Sequence, residues 1–318
     1  MIGVLNNMET LVVIDLGSNS VRMTISNLDD TGDHHTLAAE KRYVRLSENM
    51  GVDQQLQPAA IERTLAALSE FKAIYDKLDH PRIVAVATAA VRQATNQKQF
   101  LKQVKDQLGL TFKVISGATE ARYDYLGVIH TLPIVNGLLV DTGGASSELI
   151  LVQNRQMKHV VSIPLGSVTL SQAYLENDRI KADSLFSAMT FVNNVFNDVW
   201  WLREATNLPI IGLGGANRTL AKINRRKKNF LNVEDIHGYK LTATDVYNTL
   251  TQLLGLNLAE RKKVPGLSKD RADIIVGGLV PVALLMRLLD SQLITFSNAG
   301  LRDGILFERI NQIKAESH

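Results

Sequence analysis

Apolar and polar positions change period several times along this chain, and each change marks an element. Residues 11–15 form a short β-branched run that ends in a carboxylate, and residues 21–28 resume as a second strand after the turn DLGSNS. Residues 36–46 read as a third strand. Residues 58–78 place Ile61, Leu65, Leu68, Phe71, Ile74 and Leu78 at helical spacing. The pattern then predicts a buried strand over 81–87, a helix over 96–108, a strand over 111–115 and a helix from Gly117. Three strands followed by alternating helices and strands specify an α/β domain.

The same pattern then restarts. Residues 137–141 are again an apolar strand ending in a carboxylate, followed by DTGGASS and strands over 148–152 and 160–164. Helical spacing covers 181–205, and a strand over 209–213 runs into GGAN. Residues 244–254 and 269–289 read as helices, 293–297 as a strand and 302–314 as a closing helix. Pro133 and Asn136-Gly137 mark the boundary. The expected domains are 1–128 and 129–318, with the last helix able to pack back on the first.

A length of 318 residues suits two domains, and 45% hydrophobic with 21% charged residues excludes a largely disordered chain. Cysteine is absent, which excludes disulfides, zinc–thiolate sites and a thiol nucleophile. The longest uncharged apolar run, 274–286, falls short of the roughly 20 residues that span a membrane. The first residues carry no basic leader, so a soluble cytoplasmic protein is expected. A net charge of +3 does not argue for nucleic-acid binding; it divides into −1 over 1–128 and +4 over 129–318.

The internal repeat carries the chemistry. Asp15-Leu-Gly-Ser-Asn-Ser20 and Asp141-Thr-Gly-Gly-Ala-Ser146 share D-x-G-x-x-S, and each lies between two predicted strands. A strand that ends in Asp sets a carboxylate at the rim of a sheet. The Gly after it lets backbone N–H groups approach a ligand, and Ser or Asn adds donors. That combination suits an oxyanion such as phosphate with a hydrated Mg²⁺ beside it. One copy alone reads best as an ordinary hairpin turn; two copies in register favour phosphate. Glu120, in VISGATEAR, falls in the first turn of a helix, where a carboxylate also serves simply as a cap.

Several segments together resemble the exopolyphosphatase / guanosine pentaphosphate phosphohydrolase family. They are VIDLGSNSVRM, VATAAVRQATN, VISGATEAR, LLVDTGGASSELI, GLGGANRTLAKI, VPGLSKDRADIIVGG and FSNAGLRDGILFE, in the family's order and across nearly the whole chain. The resemblance implies duplicated actin-like, ribonuclease H-like ATPase-type α/β domains with an interdomain cleft. It also implies release of terminal phosphate from inorganic polyphosphate, or of the 5′ γ-phosphate from pppGpp. Glu120 matches the catalytic base, Asp141 and Glu148 match metal-site carboxylates, and Asp15 faces them from the first loop as a third expected metal-site carboxylate. Gly17, Ser18, Asn19, Ser20, Arg92, Gly143, Gly144, Ala145, Ser146, Gly214 and Gly215 match phosphate contacts. Mg²⁺ is the implied cofactor, with K⁺ as an activator, and a homodimer the implied assembly; neither nucleic acid nor membrane is an expected partner.

Three residues depart from the family pattern. Ala145 stands where a third Gly is usual, Ala216 where the later Gly-Gly is followed by Thr, and Thr119 where a Glu precedes the base. If position 145 needs a positive φ, Ala costs about 1 kcal/mol there. These departures motivate a second class of function, a polyphosphate- or alarmone-binding regulator with little turnover. A kinase of the same fold is a third class, since Gly214-Gly215 sits where such folds hold adenosine. The basic run Lys222, Arg225, Arg226, Lys227 and Lys228 reads as a solvated loop or as a guide for a polyanion.

Overall fold

In the computed structural model, which describes residues 8–176 and 178–316, two sheets are built on one plan. The chain divides into two compact units: residues up to Gly127 together with those from Leu301 on, and Val128–Gly300.

In unit 1, β1 (Glu9–Leu16) is a nearly unbroken apolar run with its middle buried, as a central strand requires. It pairs antiparallel with β2 (Ser20–Leu28), which pairs antiparallel with β3 (His34–Tyr43). α1 (Pro58–Tyr75) opens with Pro58 in its first turn, where a missing N–H costs nothing. β4 (Arg82–Ala87) then pairs parallel with β1. After α2 (Ala89–Gln93) and α3 (Gln97–Leu108), β5 (Lys113–Val114) pairs parallel with β4. The sheet order is β3-β2-β1-β4-β5. α4 (Gly117–Thr131) follows, and the division between units falls within it.

Unit 2 repeats the plan. β6 (Gly137–Thr142), β7 (Ser147–Gln153) and β8 (Gln156–Ile163) form an antiparallel meander, followed by α5 (Ser167–Tyr174) and α6 (Ala182–Asn197). β9 (Ile210–Leu213) pairs parallel with β6 and leads into α7 (Gly214–Lys227). After β10 (Lys240–Thr242), α8 (Ala243–Leu254), α9 (Leu258–Arg261) and α10 (Ile275–Leu288), β11 (Leu293–Phe296) pairs parallel with β9. The order β8-β7-β6-β9-β11 reproduces that of unit 1, and β10 extends it antiparallel. The fold is thus the duplicated actin-like α/β arrangement. α11 (Leu301–Glu316) closes the described chain and belongs to unit 1.

Each face of the first sheet has its own core. Val12, Ile14, Leu16, Met23 and Ile25 pack with Leu68, Phe71 and Phe100 on one side. Leu11, Val13, Leu28 and Val86 pack with Leu301, Ile305 and Ile310 of α11 on the other. α10 is the apolar run 274–286 seen in the sequence; its residues Ile275–Met286 are all buried, the expected fate of a helix apolar all round. Among the described residues no helix is long and apolar enough to cross a membrane.

Several segments differ from the sequence pattern: α5, α9 and β10 lie where it assigned no element, and β3 ends at Tyr43 rather than at residue 46. The helix expected over 181–205 ends at Asn197, and Leu202–Ala205 is a separate 3₁₀ turn. The break lets Trp201 turn inward to stack on His159 while Trp200 stays 77% exposed. The helix expected over 269–289 begins as a 3₁₀ turn at Lys269–Arg271 and restarts at Ile275. Gly214-Gly215, to which the pattern assigned no element, is the first turn of α7.

Candidate functional site

Parallel strands end at one rim of each sheet, and ligands of open α/β sheets bind outside such carboxyl ends. In unit 1 the rim carries the turn after β1, the start of α2 and the start of α4. In unit 2 it carries the turn after β6, the start of α7 and the residues after β11.

The two D-x-G-x-x-S turns have the same backbone. The Gly17 N–H donates to the Ser20 carbonyl at 3.1 Å, and the Gly143 N–H to the Ser146 carbonyl at 3.0 Å. In both, a neighbouring segment ties the turn's carbonyls back. Ser18 and Asn19 carbonyls accept from Ser47 N–H (2.9 Å) and from Val44 and Arg45 N–H (3.2 and 3.0 Å). Gly143 and Gly144 carbonyls accept from the first residues of α5, Ser167 (2.9 Å), Val168 (2.9 Å) and Thr169 (3.2 Å). The N–H groups of Ser18, Asn19, Gly144 and Ala145 then donate to nothing among the described residues. Two runs of unpaired N–H groups at strand ends are donor sets of the kind that an anion can fill. Asn19 adds a side-chain amide that is buried with neither polar atom partnered among the described residues. Ser18, Ser20 and Ser146 are buried in the same turns.

Glu120 lies in the first turn of α4, its side chain 13% exposed. Arg92 Nη1 donates to Glu120 Oε2 at 3.2 Å and to the Ile115 carbonyl at 2.8 Å. Arg92 is therefore no surface arginine: from α2 it joins the end of β5 to the carboxylate. Ser116 Oγ accepts from the Thr119 N–H at 3.1 Å and lies 2.9 Å from the Thr119 hydroxyl. Thr119, one of the three departures, thus closes the cap of the helix that presents Glu120.

Asp15 has an arginine beside it. Arg302 Nη1 lies 3.7 Å from Asp15 Oδ2, and Arg302 Nε donates to Thr24 Oγ1 at 2.9 Å. Across the ladder from Asp15 stands Arg22. Burial lowers the Arg302 pKa, Arg22 lowers it further, and Asp15 and Asp303 oppose the shift. Neither arginine was singled out from the sequence, although the hairpin register places residue 22 opposite residue 15.

In unit 2 the residue across from Asp141 is Glu148. Cross-strand partners share a face, so two carboxylates stand side by side. Glu148 is 1% exposed, and its Oε1 accepts from Ser146 Oγ (2.9 Å) and Ser162 Oγ (2.8 Å). Gly214 has φ +80°, and a Cβ there would strike Asp141 Oδ1 and the Thr142 backbone, so this close approach needs glycine. A Cβ on Gly215 would run into the Arg271 guanidinium. Asn217 Nδ2 donates to the Val140 carbonyl at 3.2 Å and the Leu213 carbonyl at 2.6 Å, fastening α7 to β6 and β9.

The other two departures take a different meaning here. Ala145 does not have a positive φ, so no backbone strain attaches to it. Ala216 is buried, and a Cβ on Gly278 of α10 would meet its methyl, so the position is one of helix packing. The basic run is engaged as well. Arg225, in the last turn of α7, stacks over Phe230 with its guanidinium carbon 4.2 Å from the ring centre and donates to the Asn232 carbonyl at 2.8 Å. Lys222 pairs with Glu234, and Lys228 lies 3.8 Å from Asp245.

Among the described residues no group of three or more His, Cys, Asp or Glu could cage a metal. Asp141 and Glu148 nonetheless fit Mg²⁺, which takes one or two protein carboxylates and completes its shell with water and phosphate oxygens.

The comparisons with known proteins bear on the fold and on kinship. The guanosine-5′-triphosphate,3′-diphosphate pyrophosphatase of Pseudoalteromonas translucida is 29% identical over 303 residues, 95% of this chain and 59% of that protein. The chain spans about half the length of the curated relatives it matches, 42% to 59%. A solved Ppx/GppA family member from Aquifex aeolicus is 28% identical, with TM-score 0.78 over 98% of this chain and 99% of that one. An exopolyphosphatase from Cytophaga hutchinsonii shares the fold at 24% identity, with TM-score 0.89 over 96% of this chain and 98% of that one. The pattern of the Ppx/GppA phosphatase family matches residues 24–313, and the chain belongs to that family.

Proposed function

We propose that the chain is an exopolyphosphatase that releases terminal orthophosphate from inorganic polyphosphate. The observation that carries the reading is the pair of D-x-G-x-x-S turns with unpaired backbone N–H groups, joined in unit 1 by Glu120 and Arg92. Phosphoryl transfer needs positioning and charge neutralisation more than covalent help, and these groups supply both. The N–H groups of Ser18 and Asn19, and of Gly144 and Ala145, with the side chains of Asn19, Ser20 and Ser146, hold phosphate oxygens. Glu120 orients the attacking water and takes its proton, and the Arg92 bond fixes the direction of that carboxylate. Asp141 and Glu148 would hold Mg²⁺, which when bound would supply positive charge to phosphate oxygens.

The second reading is pppGpp 5′-phosphohydrolase, favoured by the name of the Pseudoalteromonas translucida relative. The chemistry of the terminal phosphate is the same. K⁺ activation and a homodimer belong to the proposal through the family resemblance alone.

The test is phosphate release from short and long polyphosphate and from pppGpp with Mg²⁺, comparing wild type with Glu120→Gln. Loss of a general base lowers the rate by about 10²–10⁴-fold. Release from polyphosphate that collapses in the variant supports the first reading. A strong preference for pppGpp reverses the order, and no release from either by wild type overturns both.

A further inference from the structure

Unit 2 carries a groove that none of the roles above uses. It lies between α6, α8 and α10 and has a volume of about 340 Å³. Each helix gives it one apolar stripe. α10 supplies the floor, Ala283 and Leu284, both buried. α6 supplies Leu185 and Met189 as one wall, and α8 supplies Leu250 and Leu254 as the other; these four side chains are half-buried. Positions i and i+4 lie above one another on a helix, so each wall faces the groove along its length. The short side chain of Ala283 leaves room in the floor that a longer one would fill.

Polar groups enter this apolar lining from two of its helices. Tyr247 stands one turn before Leu250 on α8, and Arg287 one turn after Ala283 on α10; both line the groove. Arg287 is exposed at the rim, and neither its guanidinium nor the Tyr247 hydroxyl makes a hydrogen bond or ion pair among the described residues. Burial raises the Tyr247 pKa, the Arg287 charge opposes the rise and Asp290 adds to it. The phenol therefore keeps its proton at neutral pH and stays a donor, within reach of the arginine's field. Asp290 does not line the groove, and its Oδ1 accepts from Gln292 Nε2 at 2.7 Å.

An apolar trough with two unpartnered donors and one positive charge matches an amphiphile with an anionic head. Each methylene moved from water into such a groove raises affinity about fourfold. A guanidinium fork takes a carboxylate through two parallel hydrogen bonds, and a phenol donates to the same oxygens. The volume stands at the small end of the range of ligand pockets, roughly 300–1,000 Å³. Specific protein contacts bury roughly 800 Å² on each partner, so a cleft of this size argues for a single alkyl chain.

We propose that unit 2 binds a free fatty acid of medium length, its alkyl chain between α6, α8 and α10 and its carboxylate on Arg287 and Tyr247. The site is independent of the phosphatase reading: its residues lie on elements that carry none of the groups assigned above to phosphate, water or Mg²⁺.

The experiment is calorimetry on the full chain with decanoate, octanoate and decanol, each below its aggregation concentration. Hydrogen bonds to a charged group correspond to roughly 10- to 100-fold in affinity. Wild type is expected to bind decanoate at one site, at least tenfold tighter than decanol and roughly tenfold tighter than octanoate. Arg287→Gln is expected to bring decanoate down to the level of decanol and to leave decanol binding unchanged, so the alcohol reports an intact groove in that variant. Leu250→Gln, on a half-buried wall, is expected to weaken acid and alcohol alike by about tenfold. No decanoate binding by wild type, equal affinity for acid and alcohol, or decanoate binding in Arg287→Gln equal to wild type overturns the site. Phosphatidylcholine vesicles, whose acyl chains have no free carboxylate, are expected to leave the protein in solution; co-sedimentation with them overturns the free-acid class. A dimer in light scattering that decanoate dissociates also overturns the proposal, because the groove is then a contact between two copies of the chain.

Discussion

The turns after β1 and β6 share a backbone but face opposite charges across the ladder. Their backbones agree to the hydrogen bond, 3.1 Å in one and 3.0 Å in the other. Across the ladder from the Asp, however, unit 1 has Arg22 and unit 2 has Glu148. Unit 1 surrounds its turn with guanidinium groups, Arg22 and Arg302, and unit 2 with hydroxyls that donate to a buried carboxylate. A duplicated scaffold has kept the same main-chain turn twice and divided the side-chain charge, positive in one copy and negative in the other. The carboxylate–carboxylate copy has the charge that suits a divalent ion, and the arginine copy has the charge that repels one.

The largest expected effect comes from erasing the negative half. Glu148→Gln removes the charge, and phosphate release should fall on the order of a hundredfold or more, partly recovered at high Mg²⁺. An unchanged Mg²⁺ dependence would dissolve the contrast between the copies. Next is the glycine that admits α7. Gly214→Ala forces a left-handed backbone and a clash with Asp141, and should destabilise unit 2 by about 3 kcal/mol in urea unfolding. The corresponding residue after β4 is Thr88, with φ −113°, so unit 1 has no such requirement and Thr88→Ala should be mild.

A smaller effect tests how unit 1 holds its charged face together. Glu308 of α11 accepts from Tyr123 at 2.8 Å and from Arg122 at 2.6 Å, both on α4. Burial and then the Glu308 carboxylate push the Tyr123 pKa from its ordinary 10.0 up to about 12. The folded protein therefore keeps a proton that the unfolded chain has lost. This contribution to stability is fully present below pH 10 and disappears as pH rises from 10 to about 12. Tyr123→Phe should flatten that part of the stability–pH curve; an unchanged slope would place its origin elsewhere. The smallest effect is that of Ala145→Gly. With no positive φ to relieve, it should cost about 0.5–1 kcal/mol in stability and yield no gain in turnover. A clear gain would restore the weak-binder reading.

Much of this was legible because local pattern and turn chemistry coincide. D-x-G-x-x-S twice between apolar strands marked both turns, and the apolar run 274–286 marked a helix too short for a membrane and buried throughout. What escaped depends on contacts distant in sequence. Arg302 and Asp15 are brought together only by the packing of α11 on β1, and Ser162 reaches Glu148 only through the β7–β8 register. The start of α7 was hidden by Gly214-Gly215, whose low helix propensity is overridden by its packing under Arg271 and over Asp141. Position 145 stayed open in the sequence for the converse reason: a glycine-rich motif is compatible with left-handed backbone, and here the turn closes without it.

α11 has a consequence for how this chain is made. Unit 2 is one continuous stretch of sequence, whereas unit 1 is interrupted by it and finished only by the segment from Leu301. Until that segment leaves the ribosome, Leu11, Val13, Leu28 and Val86 have no α11 to cover them, and the nascent first sheet carries an apolar face in water. The closing contact joins residues some 300 positions apart, as in the bond between Arg309 and Glu9, a loop whose closure is slow and comes late. Synthesis of unit 2 thus falls inside the waiting time of unit 1, and any pause in translation before Leu301 lengthens the exposure of a half-built sheet.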